Sequence, residues 1–260
     1  MTRAAFFDLD KTLVPGSSLF LLARGMYDRD FYRARDIAKL AWSQFVFQAS
    51  GRETAAGMES SRNAALEFVK GRDAGEIRAL GREIAEERIL PRVYADIASV
   101  INQHNEAGDQ TWLLTAAPQE LAQLVASELG MRGARGTVAE IDEFDRYTGR
   151  LVGEIAHGPA KAKIAEELAA EHGIEMRDSA AYSDSINDLP LLESVGHPHA
   201  VNPDHALRRI ARARGWPIHE LRTRRRALLI GIPSTLGAAA MFGAGLAVGV
   251  WLGRRPRPRK

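Results

Sequence analysis

Cysteine is absent from the 260-residue sequence. The chain therefore forms no disulfide, holds no metal through thiolates and has no cysteine nucleophile, a composition that fits a reducing compartment. Internal repeats and long low-complexity linkers are absent as well. The apolar run after Met1 ends within a few residues in aspartates, so we expect no signal peptide. The remaining composition is that of an ordinary globular protein with an ample core.

The formal net charge of +2 hides an uneven distribution of charge. From Arg208 to the end the sequence is rich in arginine and nearly free of acidic residues. A basic tail of this kind points to anionic lipid or nucleic acid as a partner. Because its arginines flank an apolar segment and do not alternate with aromatic residues, lipid headgroups fit better, and we expect no nucleic-acid binding.

The apolar segment covers residues 227–253 and contains no charged residue. As a helix it would be about 40 Å long, enough to cross the roughly 30 Å hydrocarbon core of a bilayer. We predict a transmembrane helix here, then a basic tail at 254–260, in a single-pass protein of the cell membrane with a cytoplasmic catalytic domain. Gly245, Gly249 and Gly253 form two GxxxG steps, which favour self-association. A helix lying at the membrane interface is the alternative that the frequent glycine and alanine leave open.

Hydrophobic patterns along the rest of the chain indicate strands and helices in turn. Continuous apolar runs predict buried strands at 4–10, 110–117 and 179–185, with a fourth strand at 197–204. Between the first two runs, apolar residues recur at helical spacing, most clearly at 31–48 and 75–89, without a strand signal. Strands that alternate with helices in this way are typical of the α/β class, and we predict a doubly wound, Rossmann-like parallel sheet.

Turn and capping residues refine this order. A helix follows Pro118, and another begins near Pro159 and ends at Gly173. The alternation of apolar and polar residues around "YTG" (147–149) predicts a β-hairpin.

The long helical stretch is a candidate insertion. We predict an α/β catalytic core at residues 1–16 and 106–222, interrupted by a helical cap at 17–105.

Polar side chains follow three of the predicted strands, at the edge where an open α/β sheet binds its ligands. Carboxylates, a hydroxyl and an ammonium there form a set suited to a phosphate and a divalent metal. The candidates are Asp8, Asp10, Thr115, Lys161, Asp184 and Asp188.

Each residue type suits a different part of phosphate chemistry. Asp8 and Asp184 would supply the oxygen ligands that Mg²⁺ prefers, and the cation would relieve the repulsion between Asp8 and Asp10. Asp8 would attack phosphorus to form an aspartyl-phosphate. Asp10 would protonate the leaving alkoxide and later take a proton from water. Thr115 and Lys161 would hold phosphate oxygens and neutralise their charge.

The same residues lie in motifs that resemble those of the haloacid dehalogenase superfamily. "DLDKTL", "LLTAA", Lys161 in "GPAKAK" and "YSDSINDLPLL" occur in the order of its four motifs. The arrangement is most similar to the phosphoserine-phosphatase-like branch (subfamily IB), whose helical cap follows the first motif. The resemblance covers roughly residues 3–219 and implies the same fold and phosphatase chemistry.

The resemblance also implies a role for each residue. Asp8 would be the nucleophile, and Asp10 the general acid and base, with its main-chain carbonyl on the metal. Asp184 would be a metal ligand and Asp188 a carboxylate one layer behind the ligands. Thr115 and Lys161 would bind the phosphoryl group, although "KAK" offers Lys163 as a second candidate for the lysine.

One position departs from the pattern of the phosphoserine phosphatases. They place a glutamate nine residues after the nucleophile to receive the substrate's amino group, and this chain has Ser17 there. We therefore predict a Mg²⁺-dependent phosphatase for a phosphomonoester other than phosphoserine. The alternatives are a phosphatase for a lipid phosphomonoester of the lysophosphatidate or phosphatidylglycerophosphate type, and a membrane-tethered binding protein without catalysis.

Overall fold

The computed structural model of the protein describes residues 2–31, 66 and 69–221. In these ranges the chain forms a seven-stranded sheet covered by helices. The strands are β1 (Ala4–Phe7), β2 (Gln110–Pro118), β3 (Gly133–Ile141), β4 (Tyr147–Val152), β5 (Ala180–Ser183), β6 (His197–Val201) and β7 (Ile218–His219). The helices are α1 (Ser18–Tyr27), α2 (Ala74–Arg88), α3 (Ala95–Glu106), α4 (Gln119–Glu128), α5 (Pro159–His172), α6 (Leu189–Ser194) and α7 (His205–Arg214).

The strands lie in the order β4-β3-β2-β1-β5-β6-β7. From β1 the chain builds the sheet outward to β4 and then returns to β5 on the other side of β1. The strand order therefore reverses between β1 and β5, and such a point is where open α/β sheets bind ligands. The predicted α/β class is confirmed. The sheet is mixed rather than wholly parallel, because β4 runs antiparallel to β3.

Helices on both faces of the sheet explain why β1 is a continuous apolar run. Ala5 and Phe7 pack in one core with residues of α3 and α4, and Ala4 and Phe6 in a second core with residues of α5, α6 and α7. Successive residues of a strand face opposite sides of the sheet. A strand covered on both sides therefore buries all its side chains, and only its end is free for polar residues.

The predicted hairpin exists, but its turn precedes "YTG". β3 and β4 are joined by residues 142–146, and Tyr147 already belongs to β4. The Asp142 carboxylate accepts the N–H groups of Phe144 (3.0 Å) and Arg146 (2.9 Å), and Asp145 takes a left-handed conformation with φ of 58°. The Asp142 side chain thus makes the turn of the hairpin.

Two helices of the predicted cap pack on this hairpin. Leu22 and Met26 of α1 and Ile77 and Ile84 of α2 form a third apolar cluster with Tyr147 of β4. α2 confirms the helical pattern seen in the sequence near residues 75–89.

Another helix of the predicted cap range belongs to the packing of the sheet. Ile97 and Ile101 of α3 lie in the same core as Phe7. The other helical pattern, at residues 31–48, extends beyond the described residues, and the cap boundaries at 17 and 105 stay a prediction.

Among the described residues, no helix has both the length and the apolar character needed to cross a membrane. The predicted transmembrane segment, 227–253, and the basic tail after it lie outside the described residues.

Candidate active site

Asp8 is the first residue beyond β1, and it is buried. Its main-chain N–H donates to the carbonyl of Tyr182 at 3.0 Å, which continues the pairing of β1 with β5 by one residue. The Tyr182 ring stacks on Phe7 and on His199, each with 4.5 Å between ring centroids. This packing fixes the point at which Asp8 leaves the sheet.

The loop after Asp8 folds back so that α1 begins beside Asp10. Lys11 adopts a left-handed conformation (φ 60°), and its N–H donates to the carbonyl of Gly16 at 3.2 Å. The N–H of Ser18, the first residue of α1, then donates to Asp10 Oδ1 at 2.8 Å. The positive end of a helix dipole favours a carboxylate at this place, so α1 fixes the orientation of Asp10.

Lys161 joins two parts of the site. It lies in the first turn of α5, which begins at Pro159 after the capping residue Gly158. Its side chain is only 4% exposed. Its Nζ lies 2.6 Å from Asp8 Oδ1 and 2.7 Å from Asp188 Oδ2. The start of a helix disfavours a cation, so the two carboxylates hold the ammonium there.

Asp188 ends a short 3-10 turn (Ile186–Asp188) after β5. Its Oδ2 accepts from Lys161 Nζ and also from Ser183 Oγ, at 2.6 Å. Its Oδ1 is buried and has no hydrogen-bond partner in the described part of the chain. This oxygen can accept a hydrogen bond from one more donor, such as a water molecule. Such a bond would be favourable, because an unpaired buried carboxylate oxygen costs free energy.

Asp184 and Thr115 come from β5 and β2, the two strands beside β1. Asp184 follows β5, is buried, and has its Oδ2 3.8 Å from Lys11 Nζ. Thr115 lies in β2 two residues past Leu113, the partner of Phe7. It is buried, and its hydroxyl accepts the N–H of Ala117 at 3.1 Å.

All six candidate side chains therefore reach one edge of the sheet. Within the described ranges, Asp8, Lys161 and Asp188 are joined directly, whereas Asp10, Asp184 and Thr115 lie around them without hydrogen bonds to this trio.

Burial changes the proton affinities of these groups. It raises the pKa of Asp8 to about 6, although the charge of Lys161 opposes the shift. Burial also raises the pKa of Asp10, against the hydrogen bonds from Ser18. For Lys161, burial alone would lower the pKa, but Asp8 and Asp188 outweigh it and the pKa rises. At neutral pH, Asp8 is thus largely ionised beside an ammonium, and Asp10 retains a proton more readily than a free aspartate.

Comparison with known proteins agrees with this geometry. Residues 5–193 match the family of haloacid dehalogenase-like hydrolases. The chain belongs to that family.

Relatives of this hydrolase confirm the resemblance to the phosphoserine-phosphatase-like branch. A Mycobacterium tuberculosis protein named phosphoserine phosphatase SerB1 is 44% identical over 94% of this chain and 79% of that protein. A crystal structure of a Bordetella pertussis Tohama I protein of unknown function has a TM-score of 0.76 and 30% identity, over 85% of this chain and 100% of that one. A phosphoserine phosphatase with a phospho-aspartyl intermediate analogue has a TM-score of 0.59 over 89% of this chain and 99% of that one. At 17% identity it shows a common fold alone.

The structure separates the two lysines of "KAK" in this hydrolase. Lys163 is 70% exposed on the side chain and lies 4.0 Å from Glu167 on the same helix. Lys161 faces the carboxylates. Of these two lysines, Lys161 is therefore the one placed to contact a group bound at Asp8.

Several residues of the site escaped sequence reasoning. Ser183 donates to Asp188, and Thr12 Oγ1 lies 3.4 Å from Asp8 Oδ2. Asn202, after β6, donates from Nδ2 to the carbonyl of Lys11 at 3.0 Å. The available signal was position alone, because Ser183 ends a strand and Thr12 and Asn202 follow one, all at the edge that carries the site.

The donor set of this hydrolase fits one Mg²⁺ ion. Asp8 and Asp184 offer carboxylate oxygens, and Asp10 offers its main-chain carbonyl. Four aspartates (8, 10, 184 and 188) face two lysines (11 and 161), so carboxyl groups outnumber ammonium groups there, and a divalent cation would favour their ionised form. No group of three His, Asp or Glu side chains in the described ranges could hold a metal, so the remaining ligands would come from water and substrate.

The charge of Asp184 predicts how stability depends on pH. Burial, followed by the nearby charge of Asp8, raises the pKa of Asp184 from 3.8 to about 8. The folded state therefore binds the proton more tightly than the unfolded state, and Asp184 lowers stability progressively as pH rises from about 4 to about 8.

We expect Asp184→Asn to unfold less readily than the wild type in EDTA at pH 8, by about 1–3 kcal/mol, and to differ little at pH 4. Thermal unfolding across this range measures the difference. Mg²⁺ at pH 8 should raise the melting temperature of the wild type more than that of the variant. Equal pH dependence of the two proteins would show that Asp184 carries no buried charge.

Proposed function

We propose that this hydrolase is a Mg²⁺-dependent phosphomonoesterase that works through an aspartyl-phosphate on Asp8. As a phosphoric monoester hydrolase it needs a nucleophile, an acid and a cationic phosphate site at one place. The observation that carries the proposal is the buried Lys161 ammonium 2.6 Å from Asp8 and 2.7 Å from Asp188.

Lys161 orients the proposed nucleophile. It binds Asp8 Oδ1, and among the residues that the structure describes Oδ2 has only the 3.4 Å contact to Thr12. Oδ2 is therefore the oxygen that would attack phosphorus, while the Lys161 ammonium neutralises the charge on the phosphoryl oxygens. Thr115 of β2 would bind another of these oxygens. When bound, Mg²⁺ on Asp8, Asp184 and the carbonyl of Asp10 supplies positive charge for the same purpose.

Asp10 would move the protons. In the first step Asp8 bonds to phosphorus, the bond from phosphorus to the ester oxygen breaks, and Asp10 gives its proton to that oxygen. In the second step water attacks phosphorus, Asp10 takes the proton of the water, and the bond to Asp8 breaks. The raised pKa of Asp10 suits a group that must carry a proton at the start and accept one later.

Ser17 bears on the substrate. Its hydroxyl accepts the N–H of Phe20 at 3.3 Å and so caps α1. A hydroxyl that caps a helix carries no negative charge that could bind the ammonium group of a substrate. The relative named phosphoserine phosphatase supports phosphoserine as a substrate to test, but we propose a phosphomonoester without that amino group.

A panel of substrates tests this choice. We expect phosphoserine and 3-phosphoglycerate, which carries a hydroxyl in place of the amino group, to have kcat/KM values within about tenfold of each other, because Ser17 offers the amino group no negative charge. Lysophosphatidate and phosphatidylglycerophosphate in detergent test the lipid alternative. A preference for phosphoserine of more than a hundredfold would contradict the proposal, as would activity on the lipid phosphates alone.

Three predictions rest on the sequence only. They are anchorage in the cell membrane through residues 227–253, self-association through the glycines of that segment, and a cytoplasmic catalytic domain. The segment lies outside the described residues, so these stay predictions.

A further inference from the structure

The segment after β6 touches both loops that carry the site. It consists of Asn202, Pro203 and Asp204 and is called the clasp below. Asn202 contacts the loop after β1, and Asp204 contacts the loop after β5. These loops come from strands on either side of the point where the sheet order reverses.

Asn202 holds the first loop at a strained residue. Its Nδ2 donates to the carbonyl of Lys11 at 3.0 Å, and Lys11 has φ of 60°. The left-handed conformation is unfavourable for a residue with a Cβ, so it persists only where the surroundings fix it. Lys11 lies directly beside Asp10, and any shift of its peptide groups moves Asp10 as well.

Asn202 is itself fixed by the end of the sheet. Its Oδ1 accepts the N–H of Leu221 and its own N–H donates to His219, each at 2.8 Å. Its φ of 44° is left-handed, a conformation that asparagine tolerates better than most residues. The side chain thus connects two segments of the main chain, with one hydrogen bond to Lys11 and one from Leu221.

Asp204 holds the second loop. Its main-chain N–H donates to the carbonyl of Asp184 at 2.8 Å. Its Oδ2 accepts the N–H of Ile186 at 2.9 Å, while Oδ1 caps α7 through the N–H of Leu207 at 2.8 Å. Asp184 and Asp188 lie two residues before and two residues after Ile186.

We infer that Asn202 and Asp204 are positioning residues for catalysis, which set the distance between the Asp8–Asp10 pair and the Asp184–Asp188 pair. The inference rests on the proposed function. A misplacement of reacting groups by about 1 Å can cost up to a hundredfold in rate, and the clasp contacts both loops without being part of the reacting set.

Three variants isolate these bonds. Asn202→Gly keeps the left-handed backbone and removes both side-chain bonds. Asn202→Asp keeps the acceptor for Leu221 and removes the donor to Lys11. Asp204→Ser keeps a cap for α7, but its single oxygen cannot also serve Ile186.

Asn105→Asp is the matched control. Asn105 also spans two groups, since it donates to the carbonyl of Gly130 at 3.0 Å and accepts from Thr111 at 2.7 Å. It lies at the opposite end of β2 from Thr115. Asn105→Asp therefore loses the same kind of bond as Asn202→Asp, away from the site.

The experiment uses the full chain, p-nitrophenyl phosphate and a Mg²⁺ titration. We expect each clasp variant to lower kcat about tenfold or more with little change in KM, and Asp204→Ser also to raise the Mg²⁺ concentration for half-maximal rate. Asn105→Asp should keep kcat within twofold at a similar loss of melting temperature. The rise in melting temperature on adding Mg²⁺ should shrink in Asp204→Ser and persist in Asn105→Asp.

Each contrary result has a distinct meaning. Wild-type kcat in Asn202→Gly would overturn the inference, because this variant lacks both side-chain bonds. A loss of kcat in Asn202→Asp alone would also overturn it, because the new negative charge and not the lost bond would then cause the loss. Loss of activity in Asp8→Asn with full activity in all clasp variants would contradict the positioning role of the clasp and leave the proposed function intact. Full activity of Asp8→Asn would overturn both.

Discussion

Asp8→Asn is expected to lower kcat by about 10⁴-fold or more, the order of loss seen when a covalent nucleophile is removed. The amide has nearly the shape of the carboxylate, and it cannot form the bond to phosphorus. Steady-state hydrolysis of p-nitrophenyl phosphate at saturating Mg²⁺ measures the effect. Asp8→Ala should be measured as well, since an asparagine can deamidate back to aspartate.

The folded state of the Asp8 variants provides the necessary control. Asp28→Asn changes an exposed carboxylate paired with Arg24 and Arg88, and we expect it to keep activity within twofold. Asp8→Asn removes one charge from a crowded group of carboxylates, so its melting temperature in EDTA should not fall by much. A folded Asp8→Ala that retained near wild-type activity would exclude Asp8 as the nucleophile.

Lys161→Met is expected to affect activity and stability together. The variant removes the cation that neutralises the phosphoryl oxygens, and a loss of about 10²–10³-fold in kcat is typical for such a donor. It also leaves Asp8 and Asp188 buried without the ammonium that pairs with them, and removing one member of a buried ion pair costs about 3–5 kcal/mol. Kinetics and denaturant unfolding of the same preparation measure the two losses.

The stability loss should depend on pH. Without the ammonium, Asp8 takes up a proton more readily, so Lys161→Met should lose most stability near pH 8 and recover part of it near pH 5. Lys163→Met is the matched control two residues away on α5, because its ammonium is exposed and exposed pairs contribute about 0–1 kcal/mol. If the two variants had the same activity and stability, the Lys161 ammonium would contribute neither to phosphate binding nor to the stability of the site.

Position at a strand end made the charged residues of the site predictable. The apolar run of β1 ends at Asp8 because both faces of the strand are covered by helices, and the run of β5 ends before Asp184 for the same reason. Lys161 was predictable only as one of two lysines. The structure decides between them because Pro159 sets the start of α5, and two residues along a helix face nearly opposite directions.

The clasp was not predictable in the same way. Asn202 is a single neutral residue whose partners, Lys11 and Leu221, are far from it in sequence, and no spacing rule connects them. The hairpin was predictable, but the position of its turn was not, because a side chain, Asp142, supplies the turn bonds. Local propensity describes main-chain conformations, whereas these features depend on where one side chain finds its acceptors or donors.

The most direct test of the account is the site of covalent phosphorylation during turnover. Wild-type enzyme, mixed with excess p-nitrophenyl phosphate and Mg²⁺ and quenched in acid within milliseconds, should carry one phosphoryl group on Asp8, located by mass spectrometry of its peptides. Asp8→Asn should carry none. A phosphoryl group on another residue, or burst kinetics without any phosphorylated peptide, would contradict the aspartyl-phosphate mechanism.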